Sequence, residues 1–198
     1  MSSQESTASA TGRPRDPALE AAILDATQEL LIEHGFAATT VEAVARAAGT
    51  GKAAVYRRWP AKIDLVIAAV QALQSPPVVP DTGTLRGDLL ACAMHFVQSD
   101  RRAALVLAGV LNEIGRNGDL RAAAFEAIGK PPAVAFATVL DRWRARGEVT
   151  TSAPTDLLAG IIPAAAFRSV ALGRRTIEQQ TAVELVDFVL LPALRHPS

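Results

Sequence analysis

The sequence predicts an all-α protein, on three observations. Apolar residues recur at spacings of three and four along most of the chain, which is the helical period. Alanine, leucine and valine fill these runs, without the strict alternation of a half-buried strand. Glycines and prolines such as Gly35, Gly49, Pro60 and Gly147 fall between runs, where they can end helices. With 198 residues, 49% apolar and 5% aromatic, the chain can hold one ordinary domain or a small domain joined to a larger one.

Residues 1–15 are rich in Ser, Thr, Ala and Gly and are expected to form a disordered tail. A first helix follows, with Asp16 as cap and Pro17 at the first position, where its missing N–H has no partner to lose. Ile23, Ala26, Thr27, Leu30 and Leu31 form its inner stripe, Gly35 is placed to end it, and Phe36 should fold back onto the stripe. A capping box, Thr39-x-x-Glu42, precedes a short helix from about Thr40 to Ala48. After a tight turn at Gly49 comes a third helix, about Gly51 to Trp59, so the second and third form a helix-turn-helix. Pro60 opens a fourth helix with Ile63, Val66, Ile67 and Val70 inward.

The stretch Ser75 to Gly83, "SPPVVPDTG", is the best boundary in the chain, a semi-stiff linker between a unit at 16–75 and another at 76–198. Further helices are expected at Thr84–Ser99, about Arg101–Gly115, Asp119–Ile128 and Pro131–Arg146. Gly147 is a cap behind a basic last turn. The final pair spans about Ala153–Leu172 and Thr176–Leu194.

Lys and Arg together equal Asp and Glu at 20 each, so no global field points to nucleic acid or membrane. A single cysteine, Cys92, excludes an intrachain disulfide and a thiolate metal cluster. The start lacks a signal peptide's apolar segment, and no uninterrupted apolar run reaches the ~18 residues of a span. These readings give a cytoplasmic protein without a membrane partner. The three histidines, at 34, 95 and 196, are scattered, so no metal or other cofactor is expected.

Charge is informative locally. Five basic residues and no acidic one lie between Arg46 and Ile63, namely Arg46, Lys52, Arg57, Arg58 and Lys62. The "GTGK" within this stretch imitates a phosphate-binding loop, but the spacing fails: Arg46 stands where the first glycine should be and Ala53 where the hydroxyl should be. A cationic patch on the turn and second helix of a helix-turn-helix is instead an electrostatic footprint for DNA. A solvated basic face on an ordinary helical hairpin is the other reading of the same charges.

"TTVEAVARAAGTGKAAVYRRWPAKIDLV" resembles the DNA-binding signature of the TetR family of bacterial transcriptional regulators. The likeness covers about Ala18 to Leu73 in helix lengths, turn glycine and Tyr-to-Lys spacing. Further on, "RARGEV" matches the end of the family's long central helix. The resemblance implies an N-terminal three-helix DNA-binding domain joined to a larger helical domain for ligand binding and dimerisation. It implies base-edge contacts from Lys52 and Arg57, thymine-methyl contacts or close approach at Ala53 and Ala54, and phosphate contacts from Thr40, Tyr56, Arg58 and Lys62. Gly51 is then the N-cap of the recognition helix, in place of the family's usual Ser. In the tail, Arg13 and Arg15 of "TGRPR" are candidates for a narrow minor groove.

"LLAGIIPAAAFRSVAL" and "VELVDFVLLPAL" are more apolar than helices on the outside of a monomer should be. They suggest a four-helix contact between two copies, with Ile161, Ala165, Val186, Phe188 and Val189 at the interface. The resemblance also implies a small-molecule pocket in this region, for which His95, Asn112, Glu113, Phe136, Trp143 and Phe167 are the candidates. The expected function is a ligand-responsive regulator, a repressor by the family's habit, that binds double-stranded DNA as a homodimer and is released by a mainly apolar effector. A helical enzyme or binding protein with a merely solvated basic helix is the alternative, although no catalytic motif appears.

Overall fold

The structure is a computed structural model that describes residues 16–97 and 101–195, so the tail and its Arg13 and Arg15 lie outside the described residues. Among the described residues there is no strand. The order of helices is α1 (Pro17–Ala38), α2 (Val41–Ala47), α3 (Lys52–Tyr56), α4 (Lys62–Gln71), α5 (Leu85–Met94), α6 (Arg101–Ile114), α7 (Gly118–Ala124), α8 (Lys130–Ala145), α9 (Thr155–Ala159), α10 (Ile161–Gly173), α11 (Gln179–Leu185) and α12 (Leu191–Arg195).

Asp16 caps α1 as expected, its Oδ1 accepting from the Ala18 and Leu19 amides at 3.0 and 3.3 Å. Gly35 does not end the helix but kinks it, at φ 72°, ψ 179°. The last turn beyond the kink carries Phe36 back into the interior. The expected capping box is displaced by one residue. Thr40, not Thr39, caps α2 by accepting from the Ala43 amide at 3.1 Å. Thr39 is buried and donates its hydroxyl to the Gly35 carbonyl at 2.8 Å, which ties the kink shut.

Gly49 supplies the left-handed turn (φ 65°) into α3. The recognition helix ends at Tyr56, three residues before the expected Trp59, in a turn that drives Trp59 into the core beside Val44, Val55 and Leu65. Pro60 stands outside α4. Ala61 is the cap, and Asp64 holds its amide at 3.0 Å.

A second core joins the two units. Leu31 and Phe36 of α1 and Val66 and Val70 of α4 pack with Val106 and Val110 of α6 and Leu120 of α7. The approach of α1 to α6 is backbone-close at Gly109, where an added Cβ would stand 2.3 Å from the Leu31 carbonyl oxygen. Only glycine allows that contact.

The long run 118–145 is one rod where two helices were expected. Between α7 and α8 lies a π-helical turn, Phe125–Gly129, with the Lys130 amide bonded to the Phe125 carbonyl. Two residues on, Pro131 has no N–H to offer the Ala127 carbonyl. That carbonyl accepts from Gln71 Nε2 of α4 at 3.1 Å instead. The same device recurs at the C-terminus, where a π turn at Val186–Leu190 precedes Pro192 and joins α11 to α12. Conversely, the stretch expected as one helix from Ala153 is divided at Gly160 into α9 and α10. Pro163 cannot donate to the Ala159 carbonyl, which leaves the division there.

The main core of the C-terminal unit gathers Leu89 of α5, Val139, Leu140 and Trp143 of α8, and Val186, Leu190 and Leu194 of the last rod. Val186 is fully buried within the chain, so it cannot serve the intermolecular contact expected of it. Taken together, Thr155–Gly173 is long and apolar enough to cross a membrane by length and composition, contrary to the reading from uninterrupted runs.

Candidate nucleic-acid interface and sensor cavity

Helix α3 is five residues long, and its exposed side is built by elimination. Val55 and Ala54 face the interior, so Lys52, Ala53, Tyr56 and Arg57 are left on the solvent side, beside the exposed Thr40 and Gly51. This is the surface that the sequence assigned to DNA, with three corrections.

Ala54 is 8% exposed and packed inward, so it offers no methyl to a base. Arg58 turns away from the exposed side. Its Nη1 donates to the Ala54 carbonyl at 3.1 Å, its Nη2 to the Asp16 carbonyl at 3.4 Å, and its Nε lies 3.8 Å from Glu20. It clasps the end of the recognition helix to the start of α1. Lys62 is likewise engaged inside the fold. Its Nζ donates to the Phe36 carbonyl at 2.5 Å and the Ala37 carbonyl at 3.3 Å, and sits 4.1 Å above the Phe36 ring. Burial lowers its pKa, an effect partly opposed by the charge of Glu113. A cation at this place neutralises the orphan carbonyls of the last turn of α1. In this free structure both side chains are engaged with α1, so they are not extended from the exposed side as a phosphate contact would require. Basic residue type was legible in the sequence; direction was not.

Lys52 makes an ion pair with Glu42 of α2, and the hydrogen bond from Lys52 holds the Glu42 carboxyl below its ordinary value. Both are exposed, so a phosphate can compete for the ammonium. Among the described residues no carboxylate pairs with Arg57, which caps the C-terminal end of α3.

In the C-terminal unit a cavity of about 230 Å³ lies under the strap Ser75–Pro80. Its walls come from α5, the start of α8, and the α9–α10 junction. His95 and Phe136 line it, as expected. The other four ligand candidates do not. Trp143 is buried in the core and donates Nε1 to Asp88 Oδ2 at 2.8 Å. Asn112 is exposed on α6, Glu113 sits on the same helix within reach of Lys62's charge, and Phe167 is 52% exposed on α10. Reading the proline-rich stretch as a linker missed that the linker is also the cavity's roof. Cys92, Pro132 and Ile162 also line it, and their apolar helical spacing made them look like ordinary core; Phe96, beside His95, lies on the wall too.

The strap is held by a buried carboxylate. Asp88, fully buried on α5, accepts from the Thr82 amide at 2.6 Å and the Thr82 hydroxyl at 2.8 Å through Oδ1. Its Oδ2 takes Trp143 and, at 3.3 Å, Arg142, whose Nη1 also donates to the Pro80 carbonyl at 2.6 Å. Burial alone would raise the Asp88 carboxyl. The hydrogen bonds from Thr82 and Trp143 and the charge of Arg142 outweigh it and hold the group below its usual range.

On the outside, Phe188 is 77% exposed and Val189 40%, on the outer side of the last rod, while Ile161 and Ala165 are half-buried on α10. Leu157 of α9 and Phe167 and Leu172 of α10 are exposed as well.

A tight two-helix turn with an exposed basic helix, mounted on a larger helical unit, defines a helix-turn-helix transcriptional regulator. Residues 23–69 match the family model described as bacterial regulatory proteins of the tetR family, and residues 79–189 match the tetracyclin repressor-like C-terminal domain. The chain is 36% identical over 188 residues to the HTH-type transcriptional regulator Rv1556 of Mycobacterium tuberculosis, covering 92% of this chain and 93% of that one. It is 28% identical over 179 residues to the DNA-binding transcriptional repressor TetR of Mycobacteroides abscessus, covering 88% and 93%. Among solved structures, the TetR family transcription regulator SCO0332 superposes with a TM-score of 0.63 at 25% identity, covering 87% of this chain and 96% of that one. The chain belongs to the TetR family of bacterial transcriptional regulators.

Proposed function

We propose that the protein is a cytoplasmic, ligand-responsive repressor, not an enzyme, that binds a palindromic operator as a homodimer. In this reading residues 16–75 bind DNA and residues 76–198 sense the effector and pair the two copies. The observation that carries it is the apolar surface of α10 and the last rod. Leu172 and Phe188 are 81% and 77% exposed, and a monomer gains nothing by presenting large apolar side chains to water. A second copy laid on this surface covers them and pairs two α3 helices for half-sites about 34 Å apart, or a multiple of that. The same contact accounts for the apolar run Thr155–Gly173, only 17% of which is buried within one chain, without a lipid partner.

On the operator, Lys52 and Arg57 read base edges, Ala53 approaches the groove closely, and Thr40, Gly51 and Tyr56 meet the backbone. The effector is a mainly apolar small molecule. It releases DNA by binding more tightly to the conformation that cannot span the operator. A mobility shift with palindromes from the upstream region of the coding gene tests the reading, together with sedimentation of the free protein. A dimer that shifts one palindrome at low nanomolar concentration, and random DNA only far above it, is the expected result. A monomer in solution and on DNA would end the proposal.

A further inference from the structure

The cavity under the strap is built of one kind of chemistry. Pro76, Leu89, Phe96, Pro132, Phe136 and Ile162 supply most of its surface, and no Asp, Glu, Lys or Arg is among its lining residues. Polar side chains there are Ser75, Cys92 and His95. Burial pushes the Cys92 thiol up to about 11, so it stays protonated. Burial also lowers the His95 pKa and favours the neutral imidazole, which can donate or accept. The neighbouring charge, Asp88, already has both oxygens engaged by Thr82, Trp143 and Arg142. The described residues give the His95 ring an edge-on contact with Phe96, at 5.1 Å between centroids, and no hydrogen bond. The ring is half-buried and lines the cavity, where a ligand group can reach it.

We infer that the cavity takes an uncharged, compact, largely apolar molecule whose one hydroxyl or carbonyl group hydrogen-bonds to the His95 imidazole. This deepens, and rests on, the reading of the protein as a sensor. A charged ligand would lose its hydration to walls that return no counter-charge, which is far more unfavourable than losing one hydrogen bond. A ligand with no polar group would strip water from His95 and give nothing back. His95 stands at a boundary as well. It and Ser75–Pro77 also line a neighbouring cavity of about 270 Å³ that reaches Gln71 and Gln74 beyond the middle of α4. The polar handle of the ligand therefore meets the wall nearest the DNA-binding unit.

Four probes with one ring system test the assignment by calorimetry and thermal shift: 2-naphthol, 2-methylnaphthalene, 2-naphthoate and 2-naphthylmethylammonium. The full-length protein should bind 2-naphthol about fivefold tighter than 2-methylnaphthalene, and both charged probes at least about a hundredfold more weakly. His95→Phe should bring 2-naphthol down to 2-methylnaphthalene and leave the latter unchanged. Ala133→Phe, which fills the cavity from α8, should abolish both, and Ala159→Leu serves the same end from α9 if that variant does not fold. Equal binding of a charged probe, an unchanged 2-naphthol affinity in His95→Phe, or no binding of either neutral probe would overturn the assignment. Operator release is read separately. A charged compound that frees the operator removes the ligand class and keeps the sensor. Neutral binding with operator affinity unmoved by every ligand keeps the class and removes the sensor.

Discussion

The two units of the protein invert the usual placement of charge and oil relative to one another. Among the described residues the helix-turn-helix unit fully buries only neutral polar residues (Thr27, Gln28 and Thr39); it tucks Arg58 and Lys62 partly against α1 and leaves Lys52 and Arg57 exposed. The C-terminal unit buries a full carboxylate, Asp88, and turns Phe167, Leu172, Phe188 and Val189 outward. The contrast follows from what each must touch. In the proposed reading a polyanion is met by exposed cations and a second copy by an apolar surface, while a strap crossing an apolar cavity needs a buried anchor.

The inversion can be broken first at Asp88. Asp88→Ala leaves Arg142 and Trp143 without their acceptor and frees the strap, and should reduce stability by about 3 kcal/mol, because Arg142 keeps some solvent. The sign with pH is fixed. The folded carboxyl is held below its ordinary 3.8, so the stability it contributes is complete above that value and is lost as pH falls through the lower folded one. Urea midpoints of wild type and variant should stay apart from pH 7 down to about that value and converge in stronger acid. A constant gap throughout would show that packing, not charge, is what the variant lost.

At the outer surface, Phe188→Glu should raise the dimer dissociation constant at least about a hundredfold, since a carboxylate would be desolvated between copies. Sedimentation reads this directly, and far-ultraviolet circular dichroism should show the helices intact. Val186 would be the wrong choice for that test, since a charge there would unfold the core. On the DNA side, Arg57→Ala should weaken operator binding by about 1–3 kcal/mol and relax preference at one position in each half-site, measured by competition with single-base variants. The smallest effect is expected at Glu42. Glu42→Gln releases Lys52 and should strengthen binding to random DNA about two- to threefold at low salt, with little change at high salt. A stronger operator preference instead would mean that Glu42 does not compete with phosphate.

Local grammar made most of the first unit legible. Asp16 and Pro17, the turn at Gly49 and the Tyr-to-Lys spacing are short-range signals, and each fell within a residue or two of its place. The errors there came from direction. Whether Arg58 and Lys62 point outward depends on the carbonyls of α1, 42 and 26 residues away in sequence, which no local pattern carries. The second unit was readable as helices but not as a site. The Asp88 anchor joins residues 54 and 55 positions apart, and the cavity assembles from the strap and four helices. Pro131 was read as the start of a new helix, and the π turn upstream overrode it; Pro192 lay inside one expected helix, and the π turn before it gave no signal in the sequence.

Those two π turns also mark the rods with an extra beat. A π turn amounts to one residue more than the α repeat needs, so it advances everything downstream by about 100° around the axis. In the 118–145 rod this phase decides that Phe136 looks into the cavity; in the last rod it lets Val186 and Leu190 face inward while Phe188 and Val189 face out. A descendant that lost one residue within Phe125–Gly129 would keep its helix and its composition, yet present a different set of α8 side chains to the cavity. If the cavity serves as proposed, such single-codon changes of phase let it take new ligands without its wall being redesigned residue by residue.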